Sequence, residues 1–305
     1  MDELLIVFLA GFAASFVDGA LGMGFGPASS SILLGAGMSP AAISTTVNLA
    51  KVATGFSSAV AHWRFGNIDR RLVRRLAIPG SLGALVGVTV LANVDGDRLK
   101  PVLVVLLLVM AGRILLRFSR PLTKPAERGD ETDHGKSGSY NERGTGAVAA
   151  VGGVTNGLVG AWGPVVTPFL LQRGVAPRYA IGSVNTAEVA VAVVASGSLL
   201  ASIGGGGINF AVVVAMLAGG MLAAPVAAWA IRFVPARGLG VAVGGLLFLT
   251  NIRELTRVPE LTTVRWVGFG LVALACWYAA IRPRLTLRRS GGDLPGDPSL
   301  GTDSA

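Results

Sequence analysis

The stretch "DGALGMGFGP" (Asp18–Pro27) places four glycines, a proline and an aspartate in ten residues, inside sequence that is otherwise continuously apolar. A second stretch, "NGLVGAWGP" (Asn156–Pro164), repeats the pattern one residue shorter. Glycine and proline are poor residues for a helix interior, so both stretches predict a break in the backbone. The two regions then keep step. Pro40 and Pro177 each lie 13 residues past the earlier proline, and Val47-Asn48 and Val184-Asn185 end eight residues past the second one. Matched spacing at four points predicts an internal repeat.

The composition says what surrounds these breaks. The 305 residues are 52% apolar and 14% charged, with mean hydropathy +0.64. A soluble domain carries about 25% charged residues. Apolar runs near 41–62, 72–92, 100–118, 178–201, 208–232, 238–252 and 264–282 approach the ~20 residues of a spanning helix. The alternating pattern of a membrane barrel is absent. The expected class is therefore an all-α polytopic membrane protein. The acidic start, Met-Asp-Glu, and the lack of an A-x-A site argue against a cleaved signal peptide.

Charge distribution sets the expected topology. Of 26 Lys and Arg, 20 fall in five groups, at 64–75, 113–143, 173–178, 232–237 and 282–289. The positive-inside rule makes these groups cytoplasmic. It also explains the net charge of +9 as topology, without nucleic acid. Both the linker at 119–144 and the loop at 173–178 are then inside, so 145–172 must enter and leave on one side. It reads as a re-entrant helical hairpin, with its short second helix starting at Pro164. The matching hairpin, 4–37, has its short helix starting at Pro27 and enters from the opposite face, which puts the N-terminus outside. The chain thus divides into a first transmembrane repeat (1–118), a cytoplasmic linker (119–144) and a second, inverted repeat (145–252). Each repeat is a hairpin plus three spans. An extra helix (264–282) and a disordered cytoplasmic tail (290–305) follow.

Broken backbone at membrane depth requires protein or a water-filled cavity to satisfy it, and inverted repeats with discontinuous helices are a transporter pattern. Helix starts at two apposed breaks would present backbone N–H groups and positive dipole ends, which favour an anion. Gly24, Gly26 and Gly163 let backbone approach such a ligand. Trp162 stands at the second tip, where packing competes with a place in the site.

One helix face carries the remaining signal. Ser44, Asn48, Lys51, Gly55, Ser58 and His62 recur at spacings of 4, 3, 4, 3 and 4 in the run 41–62. Lys51 lies about 10 residues from either end, roughly 15 Å deep. An unpaired charge at that depth costs at least about 2.5–3.5 kcal/mol, so it should face a partner, a cavity or a ligand. Its equivalent in the second repeat is Glu188. Two uses are open to them: a buried pair that joins the halves, or attraction of the anion by Lys51 with proton exchange at Glu188. Asn48 and Asn185 could hydrogen-bond an oxyanion or pair helix to helix. Thr45 and Ser183 are further candidates one turn earlier. Asp18 either caps the turn after it or carries a proton.

Other chemistries find little support. Gly135-Lys136-Ser137 resembles a phosphate loop, but Gly129 precedes it by one residue too many, so no ATP site is expected. A single cysteine, Cys276, and two histidines supply no metal cage. No nucleophile–base pair suggests an enzyme, and no cofactor is expected.

The quoted motifs carry a resemblance. "VDGALGMGFGP", "AAISTTVNLAKV" with "HWRFGNID", and "WGPVVTPFLLQRGVAPRYAIGSVNTAE" are similar to the TauE/SafE, or sulfite exporter, family, over nearly all of 1–282. That resemblance implies a multi-pass plasma-membrane protein and a small sulfur-containing anion, such as sulfite or an organosulfonate, as substrate. The expected function is a secondary transporter, with an exporter preferred. An anion channel on the same scaffold and a non-transporting partner in sulfur metabolism are the alternatives.

Overall fold

A computed structural model describes residues 3–21, 23–119, 143–203, 209–230 and 236–255. Most of the linker, the helix expected at 264–282 with Cys276, and the tail expected to be disordered lie outside the described residues.

The described residues form ten helices and no strand: α1 (Glu3–Leu21), α2 (Phe25–Gly35), α3 (Pro40–Arg64), α4 (Arg70–Asn93), α5 (Gly96–Ser119), α6 (Thr145–Val159), α7 (Gly163–Gln172), α8 (Pro177–Ile203), α9 (Phe210–Ala230) and α10 (Ala236–Leu255). The order is long, short, long, long, long, followed in the second set by a 15-residue helix, a 10-residue helix and three long ones. The short helices begin slightly earlier than the prolines suggested. α2 starts at Phe25, so Pro27 is its third residue, and α7 starts at Gly163, just before Pro164. Both prolines remain in the first turn, where a missing N–H breaks no intrahelical bond.

Local chemistry explains the ends. Ser39 caps α3 by accepting the Ala42 N–H at 3.3 Å, and Pro40 follows as first helical residue. Asp69 caps α4 by accepting the Arg71 and Leu72 N–H groups at 2.9 and 3.1 Å. The first break turns at Gly24, with φ 132°, and the second at Gly160, which ends α6 in the left-handed conformation at φ 67°. Both dihedrals are strained for residues with a Cβ.

Among the described residues three helices are long and apolar enough to cross a membrane: α4, α5 and α8. α3 has the length, at 25 residues, but the polar seam that it buries lowers its apolarity. Large apolar side chains such as Ile78, Leu82, Val102 and Leu116 stay exposed on the outer faces. Such a surface suits lipid as its surroundings and would be a liability in water.

The packing of the two sets is matched. α1 lies on α9 as α6 lies on α4, while α3 packs on α8 and α5 on α10. Glycines set the close crossings. Gly83 and Gly153 bring α4 and α6 together backbone to backbone, and Gly11 and Gly219 do the same for α1 and α9. The described basic loops, around 64–70 and 173–178, gather at one end of the bundle, where the Asp69 N–H donates to Ser183 Oγ at 3.0 Å and Gly144 lies beside Phe169 and Arg173. Pro40 and Gly96 meet at the other end.

Candidate functional site: a cavity between two helix breaks

The two breaks touch. Gly26, in the first turn of α2, lies directly against the carbonyl of Gly160 at the end of α6, with no room between them for a side chain. Ser30 Oγ donates to the Val159 carbonyl at 2.8 Å, and Ser44 Oγ to that of Gly157. The hydroxyls of α2 and α3 thus satisfy carbonyls that the end of α6 leaves unpaired. A helix terminus needs such partners when no water reaches it.

Beside this contact lies a cavity of about 670 Å³. Both tips line it, through Gly24, Phe25 and Gly26 on one side and Gly160, Gly163 and Pro164 on the other. The starts of α2 and α7 therefore open onto one shared space. Lys51, Glu188, Asp18 and Asn185 also line it, with Ser15, Thr54, Ser57 and Ser58 adding hydroxyls. Asp18, Lys51 and Glu188 are the charged groups among its described lining residues.

Lys51 is the hub. Its buried ammonium donates to Asn156 Oδ1 at 3.2 Å, to the Gly160 carbonyl and to Glu188, with which it forms an ion pair. Its three donors thus meet three acceptors, from the second break and from α8. The sequence-equivalent residues of α3 and α8 are brought together. Glu188 is the more open partner, with its side chain 18% exposed against 7% for Lys51. Asp18 Oδ1 accepts the Phe25 N–H at 3.4 Å, closing the turn between α1 and α2, while it also faces the cavity. Asn185 donates to Ser58 Oγ at 3.2 Å, still within the lining.

Four sequence candidates lie outside the lining. Asn48 is fully buried and pairs reciprocally with Asn156. It accepts from Asn156 Nδ2 at 2.7 Å and donates to the Asn156 carbonyl at 3.2 Å, besides bonding Ser44. Of the two uses open to that amide, helix-to-helix pairing is the one seen. Thr45 bonds the Ala41 carbonyl of its own helix at 2.8 Å. Ser183 is spent on the Asp69 N–H at the start of α4. Trp162 is fully buried, with its indole N–H on the Val184 carbonyl at 3.2 Å and its ring against Gly80 and Gly152. It wedges the second break in place.

The sequence reading left out Asn156 as a site residue, although it stands opposite Asp18 in the repeat. It binds both Lys51 and Asn48. Met23 and Ser58 were also left out. Ser58 was visible in the polar stripe of α3, whereas nothing in its sequence marked Met23. Among the described residues no cluster of metal-ligating side chains occurs.

The family described as "Sulfite exporter TauE/SafE" matches residues 7–253. A relative from Bacillus subtilis (strain 168), called "Probable membrane transporter protein YtnM", is 40% identical over 256 residues, covering 84% of this chain and 83% of its own length. No solved structure matches.

Proposed function

The chain belongs to the sulfite exporter TauE/SafE family of membrane proteins, and on that premise we propose that it is a secondary transporter of small sulfur-containing anions, sulfite or short organosulfonates. The observation that carries the reading is the shared cavity onto which both helix breaks and Lys51 open. Helix starts supply N–H groups and positive dipole ends, and Lys51 supplies a full charge. The matched packing of α1 on α9 and α6 on α4 supports two repeats of opposite orientation, and rocking one against the other would alternate access. Contact between Gly26 and Gly160 favours a carrier over an open pore. The basic end is assigned to the cytoplasm by the positive-inside rule, with the N-terminus outside.

Charge balance adds a coupling. With Asp18 and Glu188 ionised, the cavity carries two negative charges against one positive. Admitting an anion would leave a larger unbalanced negative charge in a low-dielectric place, which is strongly unfavourable. Protonation of Glu188 releases Lys51 to the anion and offsets the charge that a monovalent anion brings. Asp18 offers a second proton site. Transport is therefore coupled to proton movement, and acidity on the side of anion entry accelerates it.

Flux of radiolabelled sulfite and of methanesulfonate into proteoliposomes tests the reading. Saturable uptake that rises as the pH falls on the side of entry is expected. An absence of uptake for every anion tried, under every pH gradient, rejects it.

A further inference from the structure

A second cavity, of 470 Å³, lies on the far side of the α1–α2 break, between α5 and α7. Arg113 and Arg117 line it from α5, and Pro164, Pro168 and Gln172 from α7. Met23 and Pro164 line both this cavity and the central one, so they form the partition between the two. The second cavity sits toward the basic end of the bundle, where α5 and α7 terminate.

Among the described residues its charge is unbalanced. Among the described residues no carboxylate lines it, and none pairs with either arginine. Arg117 is half-buried, and its partners are the Met23 thioether at 3.5 Å and the Phe118 ring at 5.8 Å. A thioether is a weak acceptor, while a guanidinium carries five donors. Arg113 and Arg117 are four residues apart on α5, hence neighbours on one face, where like charges repel. Paired guanidinium forks without a carboxylate suit a planar or pyramidal oxyanion, which they can grip through parallel N–H···O bonds.

We propose that the Arg113/Arg117 cavity is a second oxyanion-binding site, a waiting station on the way to the central cavity, with Met23 as the movable side chain between them. The inference rests on the transport reading for its purpose and on its own geometry for the binding. A methionine suits a partition that must yield, since three rotatable bonds let it repack. It stands beside Gly24 at the break, with Gly163 facing it from the second break.

The test uses a Gln172→Cys reporter in a Cys276→Ser background, so that the reporter is the chain's one thiol. Full-length protein is treated with an anionic sulfonatoethyl and a cationic trimethylammonioethyl methanethiosulfonate. Charges lining a cleft raise local counter-ion concentration at least about tenfold. The anionic-to-cationic rate ratio should therefore fall about tenfold or more when Arg113→Gln/Arg117→Gln is added. Millimolar methanesulfonate should slow the anionic reagent with the arginines present and have no effect without them. Arg113→Lys/Arg117→Lys keeps the charge but loses the forks. It should retain the rate ratio and lose the protection, which covers the case where the glutamine pair fails to fold. A ratio unchanged by removing the arginines, or no protection in the arginine-bearing protein, overturns the site. Lys51→Met should abolish flux while leaving ratio and protection intact. If the unaltered chain carries no anion but shows both, the transport reading fails and this site stands.

Discussion

Separating the structural from the functional role of Lys51 requires changing its charge and its partner's together. Lys51→Met leaves the Glu188 carboxylate, only 18% exposed, without its ammonium. Glu188→Gln leaves the more deeply buried ammonium with only Asn156 Oδ1 and the Gly160 carbonyl. Removing one partner of a buried pair typically costs about 3–5 kcal/mol, whereas replacing both with neutral groups of similar volume is often close to neutral. Because Glu188 reaches the cavity's solvent, Lys51→Met, which strands it, belongs at the lower end of that range, about 3 kcal/mol. At roughly 2–4 °C per kcal/mol for a chain near this size, Lys51→Met should melt about 6–12 °C lower and Glu188→Gln, nearer the upper end of the range, about 10–20 °C lower. Lys51→Met/Glu188→Gln should return to within about 3 °C of the parent, a coupling of several kcal/mol across the cycle. Thermal unfolding in detergent reads the stability half and proteoliposome flux the other. The double variant should be stable and inactive. If it transports at the parental rate, Lys51 does no more than hold the halves together. If the single losses simply add, the two side chains do not form the pair described.

Three further perturbations, the first with a control, address the surroundings of the site. Gly26→Ala places a methyl where the Gly160 carbonyl lies, and overpacking of this kind costs about 1–3 kcal/mol, so melting temperature and flux should both drop. Gly112→Ala, with nothing within 4 Å, should change neither. Asn156→Ala strips Lys51 of one acceptor and leaves Asn48 Oδ1 buried without its donor, which should lower stability by about 1–3 kcal/mol in thermal or denaturant unfolding. Trp162→Ala empties a fully buried volume beside Gly80 and Gly152 and should lower stability by about 3–5 kcal/mol, visible as early melting.

Much of the fold was legible because it rests on chain-local physics. Glycine and proline mark the two breaks wherever they fall, and apolar length marks helices such as α4, α5 and α8. The polar stripe of α3 was legible as periodicity, and the repeat named Glu188 as the counterpart of Lys51. Periodicity gives a face but not the neighbour that meets it. Ser44 and Asn48 share the face of Lys51, yet they point at the end of α6, where unpaired carbonyls and Asn156 absorb them. Thr45 folds back on its own helix, and Ser183 is taken by the start of α4, a contact between residues 114 positions apart. Asn156 escaped notice because its role depends on where α6 ends against α3. Arg113 and Arg117 read as topology charges because their shared cavity exists only once α7 is packed beside α5.

The central claim is that the space between the breaks holds an anion through Lys51, with a proton on the neighbouring carboxylates. Titration calorimetry of purified protein with sulfite and methanesulfonate, in two buffers of different ionisation heat, tests it directly. The account predicts saturable binding with about one proton taken up per anion, lost in the stable Lys51→Met/Glu188→Gln protein. Undiminished binding in that variant, or no saturable binding in the parent, would contradict it.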